Sequence, residues 1–122
     1  MERRRSPRRG ELWRVATPNM PDDPHQPRSA LVISSNVLNH NNDRFLVVPV
    51  FSEGAIGPTH VLLGAGLGGI RHDSVLFCEE VFNLDGNLFA DDSAIGGLVP
   101  PEILRDVVRG IRVAIGDVVA DE

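Results

Sequence analysis

Residues 28–52 read RSALVISSNVLNHNNDRFLVVPVFS, and this stretch predicts two β-strands joined by a polar connection. Residues 30–34 and 44–51 are apolar, rich in β-branched side chains and bounded by polar residues, which is typical of buried strands. The asparagine-rich segment 36–42 between them predicts a turn or a single helical turn. Pro49 has no amide hydrogen to donate, so the second strand is predicted to carry an edge or a bulge there.

Further strands are predicted on both sides of this pair. Residues 10–17 alternate, with Trp13 and Val15 on one face and Leu12 on the other, and predict a first strand. Later strands are predicted at 59–63, 74–82 and 94–99, with residues 83–92 irregular between the last two.

The C-terminal end has a different periodicity. Apolar residues recur there at steps of three and four and predict an amphipathic helix that begins at Pro100-Pro101 and ends near Gly116. They are Ile103, Leu104, Val107, Val108, Ile111 and Ile115. Five or six short strands and one terminal helix predict a mainly β fold, a small and strongly twisted β-barrel.

Length and composition indicate one small globular domain, since the chain has 122 residues of which 42% are hydrophobic. No apolar run approaches the roughly 20 residues of a membrane-spanning helix, so neither a membrane span nor a signal peptide is expected. Cys78 is the single cysteine and lies in an apolar run, which predicts a buried thiol in a reducing cytoplasm. The four histidines are too scattered to predict a metal site, and no cofactor motif is recognised.

Charge is divided unevenly along the chain. Residues 1–9 contain five arginines and one glutamate, a balance of +4, whereas the remaining residues carry seven arginines and sixteen acidic side chains, a balance of −9. We predict that residues 1–9 are a disordered basic tail and that residues 10–118 form the barrel domain. The tail could attract nucleic acid or be idle, and the acidic body argues against a broad nucleic-acid surface.

The proline-rich loop 18–29 carries chemically active side chains. Arg28 offers a fixed guanidinium and Ser52, after the next long strand, a hydroxyl; metal-independent phosphodiester cleavage needs such groups to hold a charged phosphate. His25 titrates near neutrality and Asp23 is a carboxylate, so either could act as the base. Asp22 competes with Asp23 for that position.

Segments in the same order resemble the MazF/PemK family of toxin endoribonucleases from bacterial toxin–antitoxin modules. The similarity covers residues 9–116, nearly the whole chain. It is carried by RGELW (9–13), Arg28 with ALVIS (30–34), VVPVFS (47–52), PTHV (58–61), DSV (73–75), CEE (78–80), LD (84–85) and the terminal helix.

The resemblance implies an SH3-like barrel with a C-terminal helix, as in CcdB and PemK, that forms a cytoplasmic homodimer. It implies metal-independent cleavage of single-stranded RNA (mRNA, tRNA or rRNA) to 2′,3′-cyclic phosphate and 5′-hydroxyl ends, and inhibition by a MazE-like antitoxin. Arg28 and Ser52 correspond to the family's catalytic pair. The implied RNA-binding residues are Arg28, Ser29, Ser52 and Glu79.

The chain departs from the family pattern where positive charge is usual. Phe77 stands where the family often has a basic residue, and Phe82 replaces an arginine. An alternative function therefore stays open, a degenerate toxin that binds only its antitoxin. A gyrase-targeting, CcdB-like toxin is a further alternative, although the chain lacks an aromatic C-terminal tail. We interpret His60 as a structural residue or as lining a dimer interface.

Overall fold

A computed structural model shows an antiparallel sheet followed by a C-terminal helix; it describes residues 6–17, 22 and 27–119, with the backbone alone at residues 90–96. The strands are β1 (Glu11–Val15), β2 (Arg28–Val32), β3 (Arg44–Phe51), β4 (His60–Leu63), β5 (Ser74–Phe77), β6 (Phe82–Asp85) and β7 (Phe89–Leu98). The helices are α1 (Asn36–Asn42) and α2 (Pro101–Ala114). Strand neighbours run β4-β5-β3-β2-β1-β7, and β6 pairs with β3. The curled half-barrel with its terminal helix confirms the predicted fold class, although the described residues form seven strands and not five or six.

β3 is the central strand and changes partner along its length. Its first half pairs with β6 over Arg44–Val47, and its end pairs with β5 at Val50 and Phe51. Its other edge pairs with β2. Pro49 lies between the segments that face β6 and β5, so on that edge its missing amide hydrogen interrupts no ladder. The structure thus shows neither an edge nor a bulge at Pro49 but the point where β3 changes its partner from β6 to β5.

Two hydrophobic cores lie on the two faces of the sheet, as the alternation in β1 predicts. Leu12 packs into one, here called the helix-side core, together with Val50, Leu76 and Val107. Trp13 and Val15 pack into the other, here called the aromatic core. The aromatic core includes edge-to-face contacts of Phe89 with Trp13 at 5.8 Å and with Phe45 at 4.8 Å between ring centroids.

α2 begins with a proline in its first turn, as predicted, and covers the helix-side core. Gly116 follows the helix with a φ of +82° and donates a hydrogen bond to the carbonyl of Val113, which is a left-handed ending that favours glycine. Cys78 lies under the helix without solvent exposure, and burial raises the pKa of its thiol to about 12. The prediction of a buried core thiol is confirmed.

Three predicted segments differ from the structure. The strand predicted at 74–82 ends at Phe77, because a 3₁₀ helix over Cys78–Glu80 turns the chain toward α2. The irregular segment predicted at 83–92 is wrong, since it contains the end of β6 and the start of β7. The turn at 36–42 is a seven-residue helix, stabilised by Ser35, whose hydroxyl accepts a hydrogen bond from the amide of Leu38.

The described part of the basic segment contacts the barrel. The amide of Arg9 donates to Asn36 Oδ1 at 2.8 Å, and its Nε donates to the carbonyl of Ile33 at 3.1 Å. Pro7 is buried. The division into a tail at 1–9 and a domain at 10–118 stays a prediction, since residues 1–5 lie outside the described part of the chain.

Candidate active site

Arg28 is the first residue of β2 and is almost buried, with 9% of its surface exposed. Its Nη1 donates a hydrogen bond to the carbonyl of Val50 at 3.0 Å, and its Cζ lies 4.2 Å from the centre of the Phe51 ring. Ala30 pairs with Pro49, so the continuing antiparallel register places Arg28 opposite Phe51. The sheet thus fixes the guanidinium between a carbonyl and an aromatic face, a cation–π arrangement.

The stacking continues across the neighbouring strands. Phe51 lies 4.4 Å from Phe77, and Phe77 lies 4.0 Å from His60 with the rings 17° from parallel. His60 and Phe77 are directly paired between β4 and β5. Arg28, Phe51, Phe77 and His60 therefore form one stripe, with a member on each of β2, β3, β5 and β4, which we call the aromatic ladder.

His60 closes the ladder with both ring nitrogens engaged. Its Nε2 lies 2.7 Å from Glu79 Oε2, and its Nδ1 lies 2.7 Å from the carbonyl oxygen of Ala55. The hydrogen bond with Glu79 raises the pKa of His60, with further contributions from the Ala55 carbonyl and the nearby carboxylates.

Glu79 is one of the predicted RNA-binding residues and lies at this end of the ladder. Burial favours its protonated form, but the hydrogen bonds from His60, from Thr59 and from its own backbone outweigh that effect and lower the pKa of Glu79. Its side chain remains 41% exposed. The carboxylate is therefore ionised and accessible at neutral pH.

The two predicted serines are chain neighbours of the two residues in the Arg28–Phe51 contact. Phe51 contacts the guanidinium, and Ser52 follows the end of β3 and is exposed. Side chains alternate along a strand, and Ala30 faces the aromatic core. Ser29 therefore points to the face opposite Arg28. The roles of both serines stay predictions.

The two predicted bases, Asp23 and His25, lie outside the described residues. Asp22, which competes with Asp23, is an exposed turn residue. Among the described residues no group of three or more histidine, cysteine, aspartate or glutamate side chains is arranged to hold a metal ion.

The aromatic ladder is not predicted from the sequence. There Phe77 is a departure from a basic position, and His60 is interpreted as a structural residue or as lining a dimer interface. The signal was present only as two phenylalanines and a histidine near strand ends, and their contacts depend on which strands are neighbours.

Comparison with known proteins settles the family. Residues 8–115 match the model of the PemK-like, MazF-like toxin of type II toxin–antitoxin systems. The chain belongs to this toxin family. No curated protein matches the sequence.

Solved structures of MazF-like proteins share the fold. An endoribonuclease from a mycobacterial species, solved with its cognate antitoxin, superposes with a TM-score of 0.73 at 18% identity, covering 91% of this chain and 96% of that one. MazF from Deinococcus radiodurans gives a TM-score of 0.72 at 25% identity, with 92% and 98% covered. The MazE–MazF complex from the same organism gives 0.70 at 22% identity, with 92% and 97% covered.

Across the described residues of this MazF-like toxin, no helix has the length and apolar character needed to cross a membrane.

Proposed function

We propose that this MazF-like toxin is an endoribonuclease that cleaves single-stranded RNA without a metal ion. The observation that carries the proposal is the guanidinium of Arg28, fixed by the Val50 carbonyl and the Phe51 ring in a chain of this toxin family. A guanidinium that is already positioned can stabilise charge on a phosphate without reorganising during the reaction.

The proposed reaction is an internal transfer at phosphorus. The 2′-oxygen of a ribose forms a bond to its own 3′-phosphate while the bond from phosphorus to the 5′-oxygen of the next nucleotide breaks. The products are a 2′,3′-cyclic phosphate and a 5′-hydroxyl, whose oxygen takes its proton from solvent water as it departs. Asp23 or His25 would take the proton of the 2′-hydroxyl, and Arg28 would stabilise the negative charge that develops on the phosphoryl oxygens.

The remaining predicted residues would bind the RNA around the scissile phosphate. The Ser52 hydroxyl can donate one hydrogen bond to a phosphoryl oxygen, and Ser29 can contact a neighbouring group on the opposite face of β2. Glu79 keeps its exposed carboxylate available to accept from an exocyclic amine of a base.

We further propose that the toxin acts in the bacterial cytoplasm as a homodimer and is held inactive by a MazE-like antitoxin. The solved complexes support this proposal, since the mycobacterial endoribonuclease and the Deinococcus MazF were each captured with an antitoxin. A disordered antitoxin segment that folds on binding could cover the RNA site.

Cleavage of a long single-stranded RNA in EDTA tests the proposal directly. We expect the wild-type protein to cut and to leave cyclic phosphate ends. We expect Arg28→Ala to lower the rate about 100-fold or more, because one preorganised donor to a developing oxyanion is commonly worth that factor.

Arg44→Ala is the matched control, since Arg44 lies at the other end of β3 and pairs with Asp85 on the surface. It should cut at the wild-type rate. Full activity of Arg28→Ala would contradict the assignment of Arg28, and cutting that stops in EDTA would contradict metal independence.

A second function is favoured by one feature of the site. Phe51 covers one face of the guanidinium, and Arg28 is only 9% exposed, which restricts access of a phosphate. A toxin relative that binds its antitoxin without cleaving RNA would tolerate this arrangement. No cutting by either the wild-type protein or Arg44→Ala, with antitoxin binding retained, would establish this second function.

A further inference from the structure

Each ring nitrogen of His60 has a hydrogen-bond partner, so neither is available to act as a base. Both of its hydrogen-bond partners, the Glu79 carboxylate and the Ala55 carbonyl, are acceptors. Each ring nitrogen must therefore donate, which requires the doubly protonated, positively charged imidazole. Below its raised pKa, His60 is thus placed as a cation and not as a base.

The backbone around His60 is also held firmly. Gly57 and His60 exchange backbone hydrogen bonds of 3.2 and 3.3 Å across a turn. The carbonyl of Thr59, in that turn, accepts from the amide of Cys78 at 2.8 Å. The charged ring therefore has a defined position on the face of Phe77, where a cation is attracted by the ring electrons.

Phe77 is held from a second side by Gly54. A Cβ atom built on Gly54 would lie 2.6 Å from Cε1 and 2.7 Å from Cζ of the Phe77 ring. The loop after β3 can approach the ring this closely only because residue 54 is glycine. Phe77 is therefore enclosed by the loop, by His60 and by Phe51.

We propose that His60 is a positioning residue, whose charged ring holds Phe77 and Phe51 in their stack so that Phe51 fixes the guanidinium of Arg28. This inference rests on the proposed function, because it gives Arg28 its role at the phosphate. Glu79 and Glu80 are the charged groups that act on His60. The imidazole also contacts the Ala55 carbonyl in the loop and the Phe77 ring on β5.

The inference predicts coupling over the whole aromatic ladder, which an isolated surface ion pair would not produce. Exposed ion pairs contribute little to stability, so loss of the His60–Glu79 pair by itself should leave Arg28 unaffected. If His60 positions the ladder, replacing its side chain must change the surroundings of the Arg28 guanidinium, three members away.

The first readout is independent of RNA. The Nε–Hε resonance of Arg28, identified by its absence in Arg28→Ala, reports the ring current of Phe51. We expect His60→Ala and Gly54→Ala to shift this resonance. Gly57→Ala should leave it in place, since a Cβ at Gly57 meets nothing within 4 Å.

Titration of the wild-type protein tests the same coupling without a substitution. As the pH rises through the raised pKa of His60, the imidazole loses its charge, and the Arg28 resonance should move with it. In His60→Ala this step should be missing. His72→Ala, which removes an exposed loop histidine, should retain it.

Cleavage provides the second readout. We expect kcat to fall about tenfold in His60→Ala and Gly54→Ala with little change in KM, because small displacements of a catalytic group are costly in rate. In the wild-type protein, kcat should fall over the same pH step as the Arg28 resonance.

The outcomes separate this inference from the proposed function. If the Arg28 resonance keeps its position in His60→Ala, in Gly54→Ala and during the titration, the inference is overturned, even if the protein cuts RNA. A resonance that responds in a protein that never cuts RNA supports the ladder and overturns the proposed function.

Discussion

Gly110 lies in the middle of α2, where the helix passes directly over Cys78. A Cβ at this position would be 2.6 Å from the sulfur of Cys78 and 3.0 Å from its Cβ. Alanine is the better helix former by about 1 kcal/mol, but forcing a methyl group into a packed core costs about 1–3 kcal/mol. We therefore expect Gly110→Ala to lower the free energy of unfolding by up to about 2 kcal/mol in urea denaturation.

Cys78→Ala provides the control for this close contact. In that background the sulfur is gone, so the additional cost of Gly110→Ala should shrink, as contacting sites are not additive. An unchanged cost in the double variant would show that the helix does not depend on this approach. From sequence alone Gly110 is a weak point of the helix, and only the position of Cys78 shows why a glycine is required.

At the scale of elements, predictions succeeded where one local pattern determines the structure. The alternation in β1 and the three- and four-residue steps in α2 need no knowledge of neighbours. The prediction was wrong at β6 because Asn83 and Asp85 are poor strand formers. The strand conformation of β6 comes from its pairing with β3, where Leu84 lies opposite Phe45. The aromatic ladder was missed for a related reason, since stacking across four strands requires the sheet order.

One buried side chain anchors β6 to the rest of the sheet. Leu84 is 1% exposed and packs in the aromatic core. We expect Leu84→Ala to lower the free energy of unfolding by about 2–4 kcal/mol, from lost burial and the cavity left behind, measured by denaturant unfolding.

Leu62→Ala makes the same change in β4 at a side chain that is half exposed, and it should cost less than about 0.5 kcal/mol. Equal losses for the two variants would mean that β6 is not held by this contact.

For the whole molecule, the sign of its charge limits how it could bind the RNA that we propose as its substrate. The chain carries a net charge of −5, and its acidic body would repel phosphates except near local cations. The aromatic ladder supplies Arg28 and His60, but the charge of His60 is balanced by its ion pair with the Glu79 carboxylate. The arginines of residues 1–5 supply a third source, separate in sequence from the ladder.

Removal of residues 2–5 tests that third source and retains the contacts that Arg8 and Arg9 make with the rest of the chain. The melting temperature should be unchanged. The removed segment contains three arginines. If they bind phosphates, the deletion should make the slope of log affinity for single-stranded RNA against log salt shallower by about two, at about 0.7 per contact. We expect this decrease, because the aromatic ladder alone offers few phosphate contacts to offset the repulsion by the acidic body.

Replacing the three arginines with glutamine keeps the length of the chain and should give the same slope as the deletion. A slope equal to that of the wild-type protein in both variants would leave RNA binding to the ladder and its neighbours alone.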